Sequence, residues 1–482
     1  MILKRHIGLY TDFYELTMAQ GYFFQGMAEK PAAFDYFFRK NPFDGGFVIF
    51  AGLGDLLPML EQLRFETDDL EYLRSQGFRD EFLTFLRDFR FQGTVYAPPE
   101  GEVVFPYEPV VRIEGRMFEV QLIETLVLNF LNFQSLIATK AARIRRVAGD
   151  RIFLDFGLRR AQGLGGMQAT RAAIIGGANG TSNVLAGWEY DIPVSGTQAH
   201  SWIQSFPDEL TAFRAFAQLY PDRCILLVDT YDTLKSGVPN AITVAKELEA
   251  QGHRLLGIRL DSGDLAYLSK QARKMLDAAG LHYVKIFASN QLDEYAIRSL
   301  NEQNAPIDGF GVGTRLAVGR PSAALDGVYK LCWFDGTPRL KISEDITKVS
   351  LPDRKQVWRY WNSNGYFYAD GIALAAESAP TTLFHPFFPH QHVNVAHFDK
   401  EPLLKQVMVN GKIVSSLPSV QESAAYAQQR LAHLEPEYQR FEEPYVYKVG
   451  ISKALMELRD SLVFAHHRSP YRAKKSSDRP LQ

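Results

Sequence analysis

Residues 224–264 have the sequence CILLVDTYDTLKSGVPNAITVAKELEAQGHRLLGIRLDSGD, and this stretch predicts the fold. Two short apolar runs, CILLV and LLGIRL, flank a segment whose apolar residues recur with helical spacing, AITVAKELEAQG. A strand, a helix and a strand of these lengths form a βαβ unit with parallel strands. The same alternation continues on both sides, so we expect a parallel sheet that is either open or closed into a barrel.

Further apolar runs extend this sheet, and helical segments separate several of them. The other predicted strands are IFLDF (152–156), IPVSG (192–196), YVKIFASN (283–290) and DGFGVG (308–313). The other predicted helices are TAFRAFAQL (211–219), LAYLSKQARKMLDAAG (265–280) and EYAIRSLNEQ (294–303). The unbroken alternation favours one α/β domain over unrelated βα pieces.

The pattern changes along the chain and predicts three domains. Residues 1–118 mix helices with short strands punctuated by Pro and Gly, which indicates an N-terminal α/β domain. Residues 119–325 begin with a long helical pattern and continue as the predicted parallel sheet. Residues 326–482 form a C-terminal extension of antiparallel hairpins and two helices, including LLKQVMVNGKIV with an Asn-Gly turn. Its last residues, 468–482, predict a disordered polar tail.

Composition excludes several classes of protein. A net charge of -2 over 482 residues gives no sign of a nucleic-acid or anionic-membrane partner. Two cysteines, Cys224 and Cys332, indicate neither a disulfide framework nor a Cys-based zinc site. The start of the chain lacks a signal-peptide pattern, and polar residues interrupt the longest apolar helix pattern, 120–138. We expect a soluble, cytoplasmic protein that does not cross a membrane.

Polar residues follow almost every predicted strand at its carboxyl end. The segments are DFGLRRAQG, GTQAHSW, DTYDT, RLDSGD, ASNQLD and GVGT. Because the carboxyl ends of parallel strands meet at one edge of a sheet, we expect a functional site there.

These segments supply complementary chemistry. Phe156 offers an aromatic face, and Arg159 and Arg160 follow it, which suits a planar anionic ring. Four carboxylates that can bind sugar hydroxyls or water around Mg²⁺ are Asp229, Asp232, Asp261 and Asp264. Each carboxylate is equally compatible with a helix cap, and GVGT alone with an ordinary turn. Backbone N–H groups of ASN and GVGT can hold phosphate, so the set predicts a site for a phosphorylated sugar and an aromatic acid.

Histidines stand out at two places. His200 opens a predicted helix in PVSGTQAHSWIQSF (193–206), directly after the IPVSG strand. A lone histidine in a long chain is more often structural than catalytic, so this position alone decides nothing. HPFFPHQHVNVAH (385–397) lacks the spacing of zinc proteases and contains prolines, which favours a folded aromatic loop over a metal site.

Seven segments in order resemble the nicotinate phosphoribosyltransferases, which are type II phosphoribosyltransferases. They are TDFYELTMAQGY, DFGLRRAQG, GTSNVLAG, GTQAHSW, LVDTYDT, RLDSGDL and EPLLKQVMVNGKI. The resemblance covers nearly the whole chain. It implies an irregular α/β barrel with fewer strands than a TIM barrel, between an N-terminal α/β domain and a C-terminal mixed extension. It also implies a homodimer with shared active sites.

The resemblance further implies the reaction. Phosphoribosyl pyrophosphate and nicotinate would give nicotinate mononucleotide and pyrophosphate in NAD salvage, with ATP hydrolysed alongside. Mg²⁺ is the expected metal, held mainly by substrate phosphates and water. His200 matches the family histidine that ATP phosphorylates transiently, and Asp229 matches the carboxylate that holds its other N–H. A neutral imidazole oriented in this way is a good nucleophile.

The same resemblance assigns substrate contacts. Asp261 matches the residue that holds a ribose hydroxyl, and Arg259 faces phosphate beside it. The pyridine ring would stack between Phe156 and Tyr14 of the partner subunit, with Arg159 near its carboxylate. The phosphate of the product would be bound by Ser289, Asn290, Gly311, Gly313 and Thr314.

Three alternatives remain at the level of sequence. The sister activity on nicotinamide would require a carboxylate where GTSNVLAG has Ser182, whose hydroxyl instead suits the acid. A sugar-phosphate isomerase or aldolase would share the barrel, but no lysine stands at a strand end for an aldolase Schiff base. The motifs alone do not distinguish an enzyme from a dimeric binding or scaffold protein.

Overall fold

The computed structural model describes residues 5–344 and 348–467. The chain divides into two compact units. The parallel unit comprises Leu136–Ala323 and Ser419–Ala425, and the antiparallel unit comprises Met1–Ser135, Ala324–Pro418 and Tyr426–Gln482. The division into three domains at 1–118, 119–325 and 326–482 stays a prediction.

The elements are numbered in chain order. The strands are β1 (Pro31–Phe38), β2 (Val48–Ile49), β3 (Thr94–Ala97), β4 (Val103–Val104), β5 (Val111–Arg116), β6 (Ile152–Asp155), β7 (Gly180–Thr181), β8 (Ile225–Leu227), β9 (Gly257–Leu260), β10 (Lys285–Ser289), β11 (Gly309–Val312), β12 (Gly327–Phe334), β13 (Thr337–Pro338), β14 (Lys355–Trp361), β15 (Phe367–Leu374), β16 (Thr382–Phe384), β17 (His392–Asn394), β18 (Asp399–Pro402), β19 (Lys405–Val409), β20 (Lys412–Ile413) and β21 (Val449–Ile451). The helices are α1 (Phe13–Phe24), α2 (Leu53–Glu61), α3 (Thr67–Ser75), α4 (Asp80–Arg87), α5 (Met117–Leu122), α6 (Glu124–Ala148), α7 (Gly165–Ile175), α8 (Val184–Tyr190), α9 (His200–Gln204), α10 (Glu209–Leu219), α11 (Val238–Ala250), α12 (Leu265–Ala278), α13 (Glu294–Glu302), α14 (Thr314–Ala317), α15 (Val420–Ala432) and α16 (Lys453–His467).

The parallel unit is built on a six-stranded sheet in the order β7-β6-β11-β10-β9-β8. Every pair of neighbours in this sheet is parallel. The βαβ unit predicted from residues 224–264 is confirmed as β8, α11 and β9. The mixed α/β class is confirmed with it.

The core of this unit explains why its strands are almost continuously apolar. Leu226, Leu227 and Ile258 are fully buried, and they belong to one cluster with Val244 and Leu248 of α11. A parallel strand covered by helices has no solvent face, so its residues do not alternate between polar and apolar.

One predicted strand of the sheet is wrong. IPVSG (192–196) makes only a single parallel bridge, between Thr181 and Val194, and the edge strand is instead β7. Pro193 has no N–H to donate, although its carbonyl accepts a hydrogen bond from Thr181 N at 3.0 Å. The two backbones lie so close together that a Cβ on Gly180 would be 2.7 Å from Pro193 O.

The described residues of the antiparallel unit form three sheets. Their orders are β13-β12-β1-β5-β3-β19-β20, β17-β16-β21-β15-β14-β18 and β2-β4. The predicted hairpins after residue 326 are confirmed as β12-β13, β14-β15 and β19-β20. The Asn-Gly turn of the last hairpin is confirmed too, with φ of 49° at Asn410 and 71° at Gly411.

Early and late parts of the chain meet inside this unit. Strand β1 pairs with β12, and β3 pairs with β19. The fully buried Arg359 guanidinium donates to Glu102 at 2.6 Å and to Asp370 at 2.6 Å, and Arg430 also donates to Glu102, at 2.8 Å. Each of these buried charges has a partner of opposite charge, which offsets the cost of its burial. The network also connects residue 102 with residues more than 250 positions later in the chain.

The long predicted helix that starts at Glu119 is divided at Ile123 into α5 and α6. Within residues 5–344 and 348–467, no helix is both long and apolar enough to cross a membrane. The predicted disordered tail at 468–482 lies outside the described residues.

Candidate active site

The carboxyl edge of the parallel sheet gathers most of the predicted site residues. Asp229 follows β8, Asp261 follows β9 and Ser289 ends β10. These three strands are neighbours in the sheet, so their ends lie side by side.

His200 is the first residue of α9, as predicted. Its Nδ1 lies 3.1 Å from the Thr230 hydroxyl, and its Nε2 lies 3.7 Å from Asp261 Oδ2. The imidazole is 40% exposed, so a ligand can reach it. One polar residue beyond β8 and one beyond β9 therefore face the two ring nitrogens.

Asp229 holds the loop after β9. Its Oδ2 accepts hydrogen bonds from the Asp261 backbone N at 2.8 Å and from the Ser262 hydroxyl at 2.6 Å. Its Oδ1 is buried and has no hydrogen-bond partner within the described residues. The expected hydrogen bond between His200 and Asp229 is not formed, because Asp229 binds this loop while the imidazole faces Thr230 and Asp261.

Asp261 connects the histidine to the next strand. Its Oδ1 accepts a hydrogen bond from the Ser289 hydroxyl, and its Oδ2 faces His200. Since Asp229 fixes the backbone and Ser289 fixes the side chain, this carboxylate is held in one orientation before any substrate binds.

Arg259 brings a largely buried cation to the same edge. One of its terminal nitrogens donates to Gln198 O at 3.1 Å, whereas its Nε is buried without a partner in the described chain. Burial lowers the pKa of Arg259; the carboxylates of Asp261 and Asp229 oppose this shift and the charge of Arg159 adds to it. Two cations therefore lie near enough to repel each other, an arrangement that an anionic ligand would stabilise.

Gln198 was missed by sequence reasoning. Its side chain is only 5% exposed, and neither its amide nitrogen nor its amide oxygen has a hydrogen-bond partner among the residues described. Its position two residues before His200 in GTQAHSW was the only signal. A buried, unsatisfied amide at such an edge is a candidate ligand contact.

Phe156 lies directly after β6, and its backbone N donates to Val312 O at 2.8 Å. A Cβ on Gly311 would lie 2.5 Å from two carbons of the Phe156 ring, so only glycine leaves room for this ring. A Cβ on Gly313 would lie 3.1 Å from Phe156 O. Two glycines predicted to bind phosphate thus also border the aromatic residue.

Sequence reasoning also missed Asp155, which holds the backbone next to Phe156 through hydrogen bonds. Its buried carboxylate accepts from Gly157 N at 2.8 Å, Thr170 Oγ1 at 2.7 Å and Thr181 Oγ1 at 2.9 Å. Burial raises the pKa of Asp155, and these hydrogen bonds partly oppose the shift. Its backbone oxygen accepts from Ser182 N at 2.9 Å, so the segments carrying Phe156 and Ser182 are held together.

The remaining predicted residues differ in exposure. Ser182, Arg159 and Asn290 are exposed, and Asn290 has a left-handed φ of 80°. Thr314 begins α14 and is half-buried. Tyr14 lies on α1 of the antiparallel unit and is 49% exposed.

Three family profiles match consecutive parts of the chain. Residues 9–132 match the nicotinate phosphoribosyltransferase N-terminal domain, residues 152–360 the nicotinate phosphoribosyltransferase family, and residues 354–459 its C-terminal domain. The chain belongs to the nicotinate phosphoribosyltransferase family. The resemblance predicted from seven short segments is confirmed.

Known proteins and solved structures are similar to this chain over most of their length. The nicotinate phosphoribosyltransferase of Bacillus subtilis is 45% identical over 460 residues, which cover 93% of each chain. The crystal structure of human nicotinic acid phosphoribosyltransferase superposes with a TM-score of 0.84 at 34% identity, covering 94% of this chain and 99% of that one. A nicotinate-nucleotide pyrophosphorylase from Pyrococcus furiosus superposes with a TM-score of 0.70 at 26% identity, covering 89% and 99%.

The histidine-rich stretch, residues 385–397, belongs to the antiparallel unit. It contains part of the β16-β17 hairpin, in which His385 Nδ1 accepts hydrogen bonds from Phe387 N and Phe388 N at 3.1 Å each. The stretch is folded and the His385 ring contacts those of Phe387 and Phe388, as predicted, but residues 392–394 form strand β17 rather than a loop. In the ranges that the structure describes, no cluster of three or more His, Cys, Asp or Glu side chains could hold a metal ion.

Proposed function

We propose that this chain transfers the phosphoribosyl group of phosphoribosyl pyrophosphate to nicotinate, releasing nicotinate mononucleotide and pyrophosphate for NAD biosynthesis. The observation that carries the proposal is the edge of the parallel sheet, where His200, Asp261 and Arg259 come together in a member of this family. No observation favours the alternative activity on nicotinamide.

The glycosyl step requires positioning and charge rather than a protein nucleophile. We propose that the Asp261 carboxylate accepts a hydrogen bond from a ribose hydroxyl. The Ser289 hydroxyl holds this carboxylate in place, and Asp229 holds the Asp261 backbone N. The oxocarbenium-like transition state is stabilised by nearby negative charge, which Asp261 supplies. Arg259 would bind phosphate with its free Nε. The product phosphate is assigned to Ser289, Asn290, Gly311, Gly313 and Thr314.

Mg²⁺ is the proposed metal, and the residues present fit a hydrated ion. Asp229 Oδ1 is a buried carboxylate oxygen without a hydrogen-bond partner in the described ranges, and hard oxygen donors suit Mg²⁺ and its waters. When bound, the ion would neutralise charge on the departing pyrophosphate. Substrate phosphates and water are expected to supply most of its ligands.

We propose that ATP is a co-substrate and that His200 is its phosphoryl acceptor. An imidazole nitrogen attacks the γ-phosphorus, an N–P bond forms, the bond to the β-phosphate oxygen breaks and ADP leaves. Water later cleaves the N–P bond and releases phosphate. The second ring nitrogen needs a hydrogen-bond acceptor during this step, and Thr230 Oγ1 lies 3.1 Å from Nδ1. Asp229 remains the proposed carboxylate partner of His200 in the phosphorylated state.

Recognition of nicotinate rests on three proposed contacts. Phe156 stacks on the pyridine ring, Arg159 faces the carboxylate and the Ser182 hydroxyl donates to it. Asp155 links the backbone segments that carry Phe156 and Ser182, so the distance between the ring contact and the polar contact is fixed.

We propose a homodimer in which Tyr14 completes the partner's ring site. Each unit exposes apolar side chains that an interface would cover: Phe13 and Tyr14 in the antiparallel unit at 57% and 49%, and Val184 and Trp188 in the parallel unit at 72% and 79%. From the family we also propose a cytoplasmic location and an irregular barrel with fewer strands than a TIM barrel.

Product analysis with nicotinate and nicotinamide side by side tests the reaction, and His200→Ala tests the phosphoryl acceptor. The variant should lose nicotinate-dependent ATP hydrolysis and the acid-labile phosphoenzyme, while some ATP-independent synthesis remains. His253→Ala is the matched control, because His253 is a half-buried histidine of the same unit that bonds to Asp222. Undiminished ATP hydrolysis in the His200 variant would refute the assignment.

A further inference from the structure

A cavity lies within the antiparallel unit, and none of its lining residues is one of the residues assigned to the sheet-edge site. Its volume is about 670 Å³, and all its lining residues belong to the antiparallel unit. The walls come from the segments 39–46, 105–107, 383–393 and 444–450. Sites for small molecules in proteins usually have volumes of roughly 300–1,000 Å³. The proposed reaction makes no use of this cavity.

Aromatic side chains form much of the lining. Phe105 stacks on Tyr447 with ring centroids 3.7 Å apart, and Tyr107 meets Phe387 edge to face at 5.0 Å. Tyr445 also lines the cavity and is 58% exposed. Phe105 and Tyr447 are buried, so Tyr445 supplies the exposed ring on which a flat aromatic ligand can stack.

Every charged side chain of the lining is basic. Arg39 and Lys448 line the cavity together with two histidines, and no aspartate or glutamate does. The Nε of Arg39 is buried and has no hydrogen-bond partner in the chain as described, and the same is true of Asn41 Oδ1. Lys448 Nζ lies over the Tyr368 ring at 4.2 Å. Arg39 and Lys448 are half-buried, and partly buried cations that no lining carboxylate faces are stabilised by a bound anion.

The backbone around the cavity is strained. Tyr107 has a φ of 72°, and Phe43 and Asp44, just before the lining residues Gly45 and Gly46, have φ of 60° and 49°. Non-glycine residues in this region are costly and persist where the surrounding structure holds them, often at ligand clamps. Tyr107 is itself one of the lining residues.

We propose that this cavity binds a mononucleotide, with the base stacked against the aromatic lining and the phosphate bound by Arg39 and Lys448. Inorganic phosphate would leave the aromatic surface uncovered, and a lone pyridine carboxylate would fill only a small part of 670 Å³. The proposal rests on this lining alone and does not depend on the reaction proposed above.

Photolabelling of the full chain with 8-azidoadenosine 5′-monophosphate, followed by peptide mapping, tests the proposal. Adducts that AMP prevents should fall on peptides containing Phe387 or Tyr445. Arg39→Gln and Lys448→Ala should each reduce this labelling about tenfold, the loss expected when one charge-assisted phosphate contact is removed. Arg79→Gln is the matched control, because Arg79 lies over the Phe24 ring in the same unit but outside the cavity.

Three results would overturn the proposal. The first is that AMP-protected adducts are absent or fall only on peptides of the parallel-sheet edge. The second is that both folded cavity variants are labelled like the Arg79 control. The third is that inorganic phosphate protects as well as AMP, because the base would then contribute nothing. Circular dichroism establishes folding, and if Arg39→Gln does not fold, Lys448→Ala decides.

Discussion

The substitution Gly311→Ala is expected to weaken nicotinate binding while it leaves every polar side chain and backbone N–H of the site in place. A Cβ at this position would lie 2.5 Å from Cδ2 and Cε2 of Phe156. Non-bonded carbons pack about 3.5–4.0 Å apart, so the ring must move by about 1 Å. Loss of an aromatic stack costs about 0.5–1.5 kcal/mol, which corresponds to a rise of about 2- to 12-fold in KM for nicotinate.

Steady-state kinetics with nicotinate at saturating phosphoribosyl pyrophosphate measures this effect. Gly309→Ala is the matched control, because it lies on the same strand and its Cβ would meet the ring of Phe287, not Phe156, at 2.8 Å. Overpacking should destabilise both variants by about 1–3 kcal/mol in thermal unfolding. Only Gly311→Ala should change KM for nicotinate. Equal changes of KM in the two variants would show that Phe156 does not bind the ring.

Three further predictions concern a buried carboxyl group, the choice of substrate and the dimer. Burial raises the pKa of Glu15 to about 7, so the free energy of unfolding of the wild type should fall as pH rises from about 4.5 to about 7. Glu15→Gln cannot titrate and should lack this fall. Parallel pH profiles of unfolding for the two proteins would contradict the prediction. Ser182→Asp should lower kcat/KM for nicotinate about a hundredfold, or about 2.7 kcal/mol, while kcat/KM for nicotinamide holds or rises; an equal fall for both substrates would mean that Ser182 does not bind the acid. Tyr14→Ala and Phe156→Ala should each be nearly inactive alone, yet mixed dimers should regain one intact site; heterodimers that form without activity would place Tyr14 outside the shared site.

Local patterns predicted most of the parallel unit. Strands β8 and β9 and the helix between them follow from apolar runs and helical spacing, which are properties of neighbouring residues. The Asn410-Gly411 turn is equally local, since its backbone angles suit these two residues. The edge strand β7 was not predicted, because its two residues are too few to show a periodic pattern. Its position also depends on a hydrogen bond with the backbone of Pro193.

The site was predicted only as far as single residues reveal it. Positions after predicted strands and the resemblance to the family pointed to His200 and Asp261. The choice of Thr230 over Asp229 as the neighbour of the imidazole depends on how two loops pack. Asp155 acts through Thr170 and Thr181, contacts that no spacing rule indicates. Buried hydrogen bonds between distant residues are properties of the folded chain, so a sequence pattern does not show them.

The discontinuity of the antiparallel unit has a consequence during protein synthesis. Strands β1 and β3 leave the ribosome long before their partners β12 and β19 have been translated. Until then each strand presents an open hydrogen-bonding edge to other chains. Most of the parallel unit, by contrast, comes from one continuous segment and can complete its sheet earlier. A nascent chain that stalls before residue 405 would keep the edge of β3 unpaired, and we expect such truncated products to aggregate or to require a chaperone.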